Sequence, residues 1–264
     1  MDVQTQPERR LIANEHFLAP RLFSVVTWGC AASDWLANSL NDCPGIFAVH
    51  HSNNLWSKFG GARTLSGIRY LEIVGMQGHA ALAAGDIHGI SRSDIQEIRA
   101  EYADIFRAVV LVRHPLPRLR SQVAFFNEFA HTKAWDVTYV PQAFPQIVKG
   151  LPTGSYEELL FVHGVNLLNS IIEEVAVGPI YRMEDLTTNS QVLIGLVDYL
   201  SAGTVSATDD WAARQTGSRG TNQHSHREKP QFSTWQRRVL ADLFDPAAIE
   251  LYRKLDYDVE PLGP

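Results

Sequence analysis

The chain has 264 residues, of which 45% are apolar and 20% charged, with a net charge of -6. That length and balance suit a folded domain with a full core and exclude a disordered or fibrous chain, while the negative charge excludes general affinity for nucleic acid or anionic membranes, so any anion site is local. With no apolar run of about 18 residues, and with neither a signal core nor a cleavage site in MDVQTQPERR, a cytoplasmic chain is expected.

Cys30 and Cys43 make no disulfide framework and, without histidines at ligand spacing, no zinc site, so reduced thiols and no metal are expected. No linker or charge block separates two halves. One domain over 1–264 is therefore expected, with 1–20 as an N-terminal extension.

In chain order, the run 22–28 (LFSVVTW) predicts a strand, and Gly29 to Ser33 a tight loop. A helix follows, with apolar Leu36, Leu40 and Cys43, until Pro44 and Gly45 stop it. Residues 46–49 read as a second short strand and 68–75 as another. A helix over 91–104 has Ser91 or Ser93 to cap its first amides. The run 106–112 (FRAVVLV) is the pattern of a central strand covered on both faces. Pro115 then opens a helix in which Leu116, Leu119, Val123 and Phe126 recur at three and four residues. A long helix is expected over 156–175, then a strand at 179–182 and a helix at 190–200. Residues 201–232 are polar and read as a long loop, and a helix over 246–254 closes the chain. This alternation predicts an α/β fold: a central, mostly parallel sheet flanked by helices, with ligands at the carboxyl ends of the strands.

Two strand–loop–helix junctions carry chemistry. TWGCAASDWL, from Thr27 to Leu36, puts small residues where backbone amides and a helix N-terminus can approach an anion. It lacks the Walker pattern GxxxxGK[ST]. VRHPLPRLRS puts Arg113 at a strand's carboxyl end and Ser121 eight residues on, with Arg118 and Arg120 nearby. A planar guanidinium and a helical hydroxyl there suit a phosphate, although a structural ion pair for Arg113 is the competing reading.

On these residues the sequence resembles the sulfotransferases. Thr27 to Leu36 is similar to their 5′-phosphosulfate-binding loop, often written TYPKSGTTWL, and Arg113 to Ser121 resembles their 3′-phosphate motif. YRMEDL, from Tyr181 to Leu186, is similar to the family's RYEDL segment, and HREKPQFSTWQ, from His226 to Gln236, to its C-terminal donor-covering region. The resemblance implies a P-loop-like sulfotransferase fold and a donor, 3′-phosphoadenosine 5′-phosphosulfate, leaving as adenosine 3′,5′-bisphosphate. It implies that the 3′-phosphate meets Arg113 and Ser121 and that the phosphosulfate lies on Gly29, Cys30, Ala31, Ala32, Ser33, Asp34 and Trp35. The segment 201–232 becomes the donor-side loop. From it Arg219 with Gly220 is preferred over Arg227 with Lys229 as the late-loop cation, and Trp235 is a candidate to stack on adenine or to pack in the core. The implied reaction is in-line sulfuryl transfer to a hydroxyl or amine of a small-molecule or glycan acceptor, with a general base removing the proton.

One position departs from the family: where PKSG or PRSG carries a cation, this chain has Cys30. Loss of one preorganised donor costs about 10²–10³ in rate. A nucleotide-binding homologue with impaired catalysis is therefore one alternative. A Cys30-based hydrolase or acyltransferase is another, weakened because the chain lacks a Cys-x5-Arg spacing and a glycine after Cys30.

Histidine can accept a proton near neutrality, and His50, His51 and His88 are the candidate bases, His51 preferred. Glu184 and Asp185 read as structural or loop-contacting residues. Phe125 and Phe129 are candidates to line an acceptor pocket, whereas Phe126 reads as core. The aromatic stretch 131–153 is a candidate acceptor-side lid. The acceptor's identity and the oligomeric state, a homodimer included, stay open.

Overall fold

The computed structural model describes residues 21–27, 31–50, 66–128, 133–217 and 231–259. In chain order the elements are β1 (Arg21–Val26), α1 (Ser33–Asn41), β2 (Ile46–His50), α2 (Gly67–Gln77), β3 (Ala83–Ile87), α3 (Arg92–Tyr102), β4 (Phe106–Val112), α4 (Pro115–Glu128), α5 (Lys133–Ala143), α6 (Pro145–Lys149), α7 (Tyr156–Leu168), α8 (Ile171–Glu174), β5 (Ile180–Arg182), α9 (Met183–Thr188), α10 (Ser190–Ser201), α11 (Asp209–Gly217), α12 (Thr234–Leu243) and α13 (Pro246–Lys254). The strands form one sheet in the order β2-β3-β1-β4-β5. The β2–β3, β1–β3 and β4–β5 pairs are parallel. The chain divides into two compact units: Met1–Val26 with Asp34–Ala108 and Ser190–Gln215, and Thr27–Ser33 with Val109–Asn189 and Thr216–Pro264.

In the first unit β1 is buried from Leu22 to Val26, as its apolar run predicts. β3 (AAGDI) lies between β1 and β2, with Ser24 and Val49 both in register with Asp86, and Val25 and His50 both with Ile87. All five of its residues are buried although only Ile87 is a large apolar one, so the strand has no apolar pattern to betray it. Residues 68–75 are a helix, not the strand their composition suggests. The buried positions Gly67, Tyr70, Leu71, Val74 and Gly75 follow a helical stripe, and the Ser66 hydroxyl caps the Arg69 amide. Ser91 and Asp94 form a reciprocal capping box at the start of α3. The loop reading of 201–232 also needs correction. Thr208 caps the Trp211 amide, and α11 buries Trp211 and Ala212.

In the second unit β4 is buried from Val109 to Val112 and pairs with β5. The single helix expected over 156–175 is two. Asn169 breaks it, its amide Nδ2 donating to the Leu243 carbonyl at 2.8 Å and its Oδ1 accepting from the Asp245 amide at 2.9 Å. These bonds tie the junction of α7 and α8 to the turn between α12 and α13. The stretch 131–153 contains α5 and α6, and α12 begins at a Ser233–Gln236 capping box inside the segment read as donor covering. Among the described residues no helix is long and apolar enough to cross a membrane.

Candidate functional site

In the second unit, β4 delivers Arg113 at its carboxyl end and α4 begins two residues later. The Arg113 Nη1 donates to Ser121 Oγ at 3.4 Å, so the two residues named from spacing meet. Their seat is braced by Glu184, at the start of α9. Its Oε1 accepts the His114 amide at 3.0 Å and its Oε2 accepts the Tyr257 hydroxyl at 2.7 Å. Burial, and then the Glu184 charge, push the Tyr257 phenol far above its ordinary range, so it stays a donor. Burial lowers the pKa of the His114 imidazole against the opposing pull of Glu184. Arg182 pairs with Asp185 at 3.3 Å and Asp256 at 3.7 Å, and sits 4.9 Å from the Tyr257 ring centroid. The structural role expected of Glu184 and Asp185 is what the geometry gives them.

The same unit holds the end of the first loop. Ala31 and Ser33 are buried, and Ala32 has φ 60°, a left-handed conformation that costs a non-glycine residue about 1–2 kcal/mol. A left-handed residue just before a helix start turns neighbouring amides to one side, a concavity suited to anions, and α1 begins at Ser33. Arg113, Ser121 and residues 31–33 supply a cation, hydroxyls and amides and contain no carboxylate. This donor chemistry suits an anion.

In the first unit two of the three candidate bases come together. His50 ends β2 and His88 follows β3, with ring centroids 6.3 Å apart and planes inclined by 22°. Asp34, read as a donor-loop residue, turns its carboxylate to His50, Oδ1 to Nδ1 at 2.6 Å. The His88 amide donates to the Val25 carbonyl at 2.9 Å, which sets it beside the end of β1. His88 has φ 69°, another left-handed non-glycine. Asp86 was missed by the sequence reading. It is fully buried and accepts the Tyr70 hydroxyl and the Gly89 amide, each at 2.5 Å. The D-x-x-G spacing of Asp86 and Gly89 is a turn signal that would have found it.

Gly29, Cys30, His51, Phe129, Arg219, Gly220, Arg227 and Lys229 lie outside the described residues. Trp35 is half-buried on α1. Arg118 is buried and acts on Glu174 and Tyr252, so it belongs to the core and not to the anion seat. Arg120 instead lines a cavity of about 320 Å³ with Phe161, Phe232 and Gln236. Trp235 rests edge-on against Phe161, centroids 5.3 Å apart, and Phe125 is half exposed.

No protein-family model and no curated protein matches the sequence. Among solved structures, the chain is similar to a sulfotransferase from Alicyclobacillus acidocaldarius, with a TM-score of 0.51 at 13% identity over 94% of this chain and 100% of that one. It is also similar to the sulfotransferase domain of the olefin synthase from Synechococcus PCC 7002, with a TM-score of 0.47 at 13% identity over 91% of this chain and 95% of that one. At such identity the first of these likenesses speaks to architecture: the chain has a sulfotransferase-like α/β fold, a five-stranded sheet flanked by helices.

Proposed function

We propose that this chain transfers a sulfuryl group from 3′-phosphoadenosine 5′-phosphosulfate to a hydroxyl or amine of a small-molecule or glycan acceptor. The observation that carries the reading is the Arg113–Ser121 pair at the end of β4, a cationic fork and a hydroxyl braced by Glu184 in a sulfotransferase-like fold. In this reading Arg113 and Ser121 hold the 3′-phosphate, and the amides of residues 31–33 with the Ser33 hydroxyl hold the 5′-phosphosulfate. The bound nucleotide supplies the sulfuryl group and departs as adenosine 3′,5′-bisphosphate.

His88 takes the proton that the acceptor's O–H or N–H loses as its oxygen or nitrogen bonds to sulfur. It is favoured over His50 because its backbone is anchored, the His88 amide being bonded to the Val25 carbonyl at the end of β1. His50 lies on the outer strand β2, with Asp34 on its Nδ1. Arg219 is the late-loop cation of this reading, and Trp235, half-buried with its ring edge-on to Phe161, is the candidate to stack on adenine.

Calorimetric titration with adenosine 3′,5′-bisphosphate tests the donor seat. Arg113→Ala is expected to weaken binding about 10- to 100-fold, the scale of lost hydrogen bonds to a charged group. A well-folded wild type that does not bind this nucleotide sinks the proposal. Cys30, at the family's cation position, favours a second reading in which the nucleotide binds without turnover. Tight binding with no labelled sulfuryl transferred across an acceptor panel is the result that reading expects.

A further inference from the structure

The turn after β3 puts its residues in an unusual order. Glycine stands at 89, where space demands it: a Cβ there would come within 2.5 Å of Asp86 Oδ1. The left-handed position is one residue earlier and is occupied by His88, at φ 69°. A turn made only to reverse the chain would put glycine at the left-handed position and would need no buried acid. Here a fully buried carboxyl closes the turn instead. Asp86 accepts the Gly89 amide at 2.5 Å on Oδ2, while the Tyr70 hydroxyl from α2 holds Oδ1 at 2.5 Å. On its other side the His88 amide is bonded to Val25. The backbone that bears the imidazole is thus fixed from both flanks, against its own conformational preference.

We propose that Asp86, itself oriented by Tyr70, is the positioning residue of His88: its carboxyl clamps the 86–90 turn and so sets the direction in which the imidazole leaves the sheet. The proposal deepens the assignment of His88 as proton acceptor and rests on that reading for its functional meaning. Carboxyl, turn amides and tyrosine form one unit in which each buried polar group has a partner, the condition under which such a network rigidifies its surroundings. Rigid placement matters for a base because proton transfer tolerates little error in distance or direction.

The test follows the ring Cε1–Hε1 resonances of the histidines by NMR, with the His88 signal identified by its loss in His88→Gly. Asp86→Ala is expected to displace the His88 signal and to speed exchange of the Gly89 amide about tenfold or more, the scale of one lost hydrogen bond to a charged group. Asp86→Asn keeps an acceptor for the amides and is expected to return the His88 signal to its wild-type position. Binding of adenosine 3′,5′-bisphosphate stays unchanged in both variants. If Asp86→Ala does not fold, Tyr70→Phe carries the test, with a smaller displacement of the same signal. An unmoved His88 signal in a folded Asp86→Ala or Tyr70→Phe protein overturns the clamp, as does an Asn variant displaced as far as the Ala variant. A displaced signal with undiminished sulfuryl transfer upholds the clamp and removes His88 as the base.

Discussion

β3 and β4 are both buried along almost their whole length, and they achieve it by opposite means. β4 brings its own bulk: Phe106, Val109, Val110, Leu111 and Val112 fill the space around it, and only Arg107 reaches out, donating to the Phe106 carbonyl at 2.9 Å. β3 is narrow and receives its neighbours' bulk. Gly85 lies where any Cβ would overlap the ring and carbonyl of Phe23, and Ala84 fits against Gly78 of the preceding turn. The difference continues at the carboxyl ends. β4 leads to Arg113, whose half-buried pair with Ser121 is braced from behind by Glu184. β3 keeps a carboxyl inside the sheet at Asp86 and puts the candidate base two residues later. A strand of small residues leaves room inside the sheet for a hydrogen-bonded carboxyl.

The largest expected effects come from reversing these two packing solutions. Leu111→Ala empties space that β4 fills for itself and should cost about 2–5 kcal/mol, the range of large-to-small core substitutions. Gly85→Ala adds a methyl where Phe23 already stands and should cost about 1–3 kcal/mol by overpacking. Urea unfolding of the two variants measures both. A neutral Gly85→Ala would mean that Phe23 moves aside at no cost, and the contrast between a self-filled and a neighbour-filled strand would fail.

The acid inside β3 gives the next effect. Burial raises the Asp86 carboxyl from 3.8 to about 7, against the lowering pull of its hydrogen bonds to Tyr70, Gly89 and Ile90. For an acid raised in the folded state, the stabilising contribution is full below the unfolded pKa and is lost as pH climbs to the folded one, because the unfolded chain releases its proton first. Stability should therefore fall between about pH 4 and pH 7. Each tenfold gain in proton affinity on folding corresponds to about 1.4 kcal/mol, so the fall is on the order of 4 kcal/mol. Glu174 is raised to about 7 by burial, with Arg118 opposing, and adds to the same slope. Unfolding midpoints of wild type and Asp86→Asn across this range separate the two acids. The Asn variant should lose roughly half of the slope, Glu174 keeping the rest, and an unchanged slope would show that Asp86 does not titrate there.

The same contrast explains what the sequence discloses. FRAVVLV announces β4, and the spacing of Arg113 and Ser121 announces a pair that the helix brings to 3.4 Å. The helix Pro246–Lys254 and the Ser91 cap are equally legible, since a proline at the first turn and a serine before it are local signals. AAGDI has no such signal, because its burial is decided by Phe23 and other distant side chains. Residues 68–75 mislead for a related reason: Ile68, Leu71, Ile73 and Val74 look like a strand by composition, and only the stripe of Tyr70, Leu71 and Val74 shows the helix. The capping box at Ser233 was readable as S-x-x-Q but was hidden by its resemblance to a donor-covering segment. Roles for Cys30, His51 and Arg219 rest on resemblance, since these residues lie outside the described ones.

The smallest expected effect isolates the strain at the end of β3. His88→Gly removes the imidazole and relieves the left-handed backbone at φ 69°, whereas His88→Ala removes the imidazole and leaves the backbone strained. Glycine's greater freedom in the unfolded chain offsets part of the relief, so the Gly variant should exceed the Ala variant by about 0.5–1 kcal/mol in unfolding free energy, while both lose sulfuryl transfer. No comparable gain is expected from Arg113→Gly over Arg113→Ala at the end of β4, where a glycine adds only unfolded-state entropy. A Gly variant that is more stable but inactive would show that the histidine is kept at this turn against the fold's interest, the situation found where function and stability compete. Equal stability of the Gly and Ala variants would mean that the turn is relaxed around His88, and it would take away the strain that the Asp86 carboxyl is there to oppose.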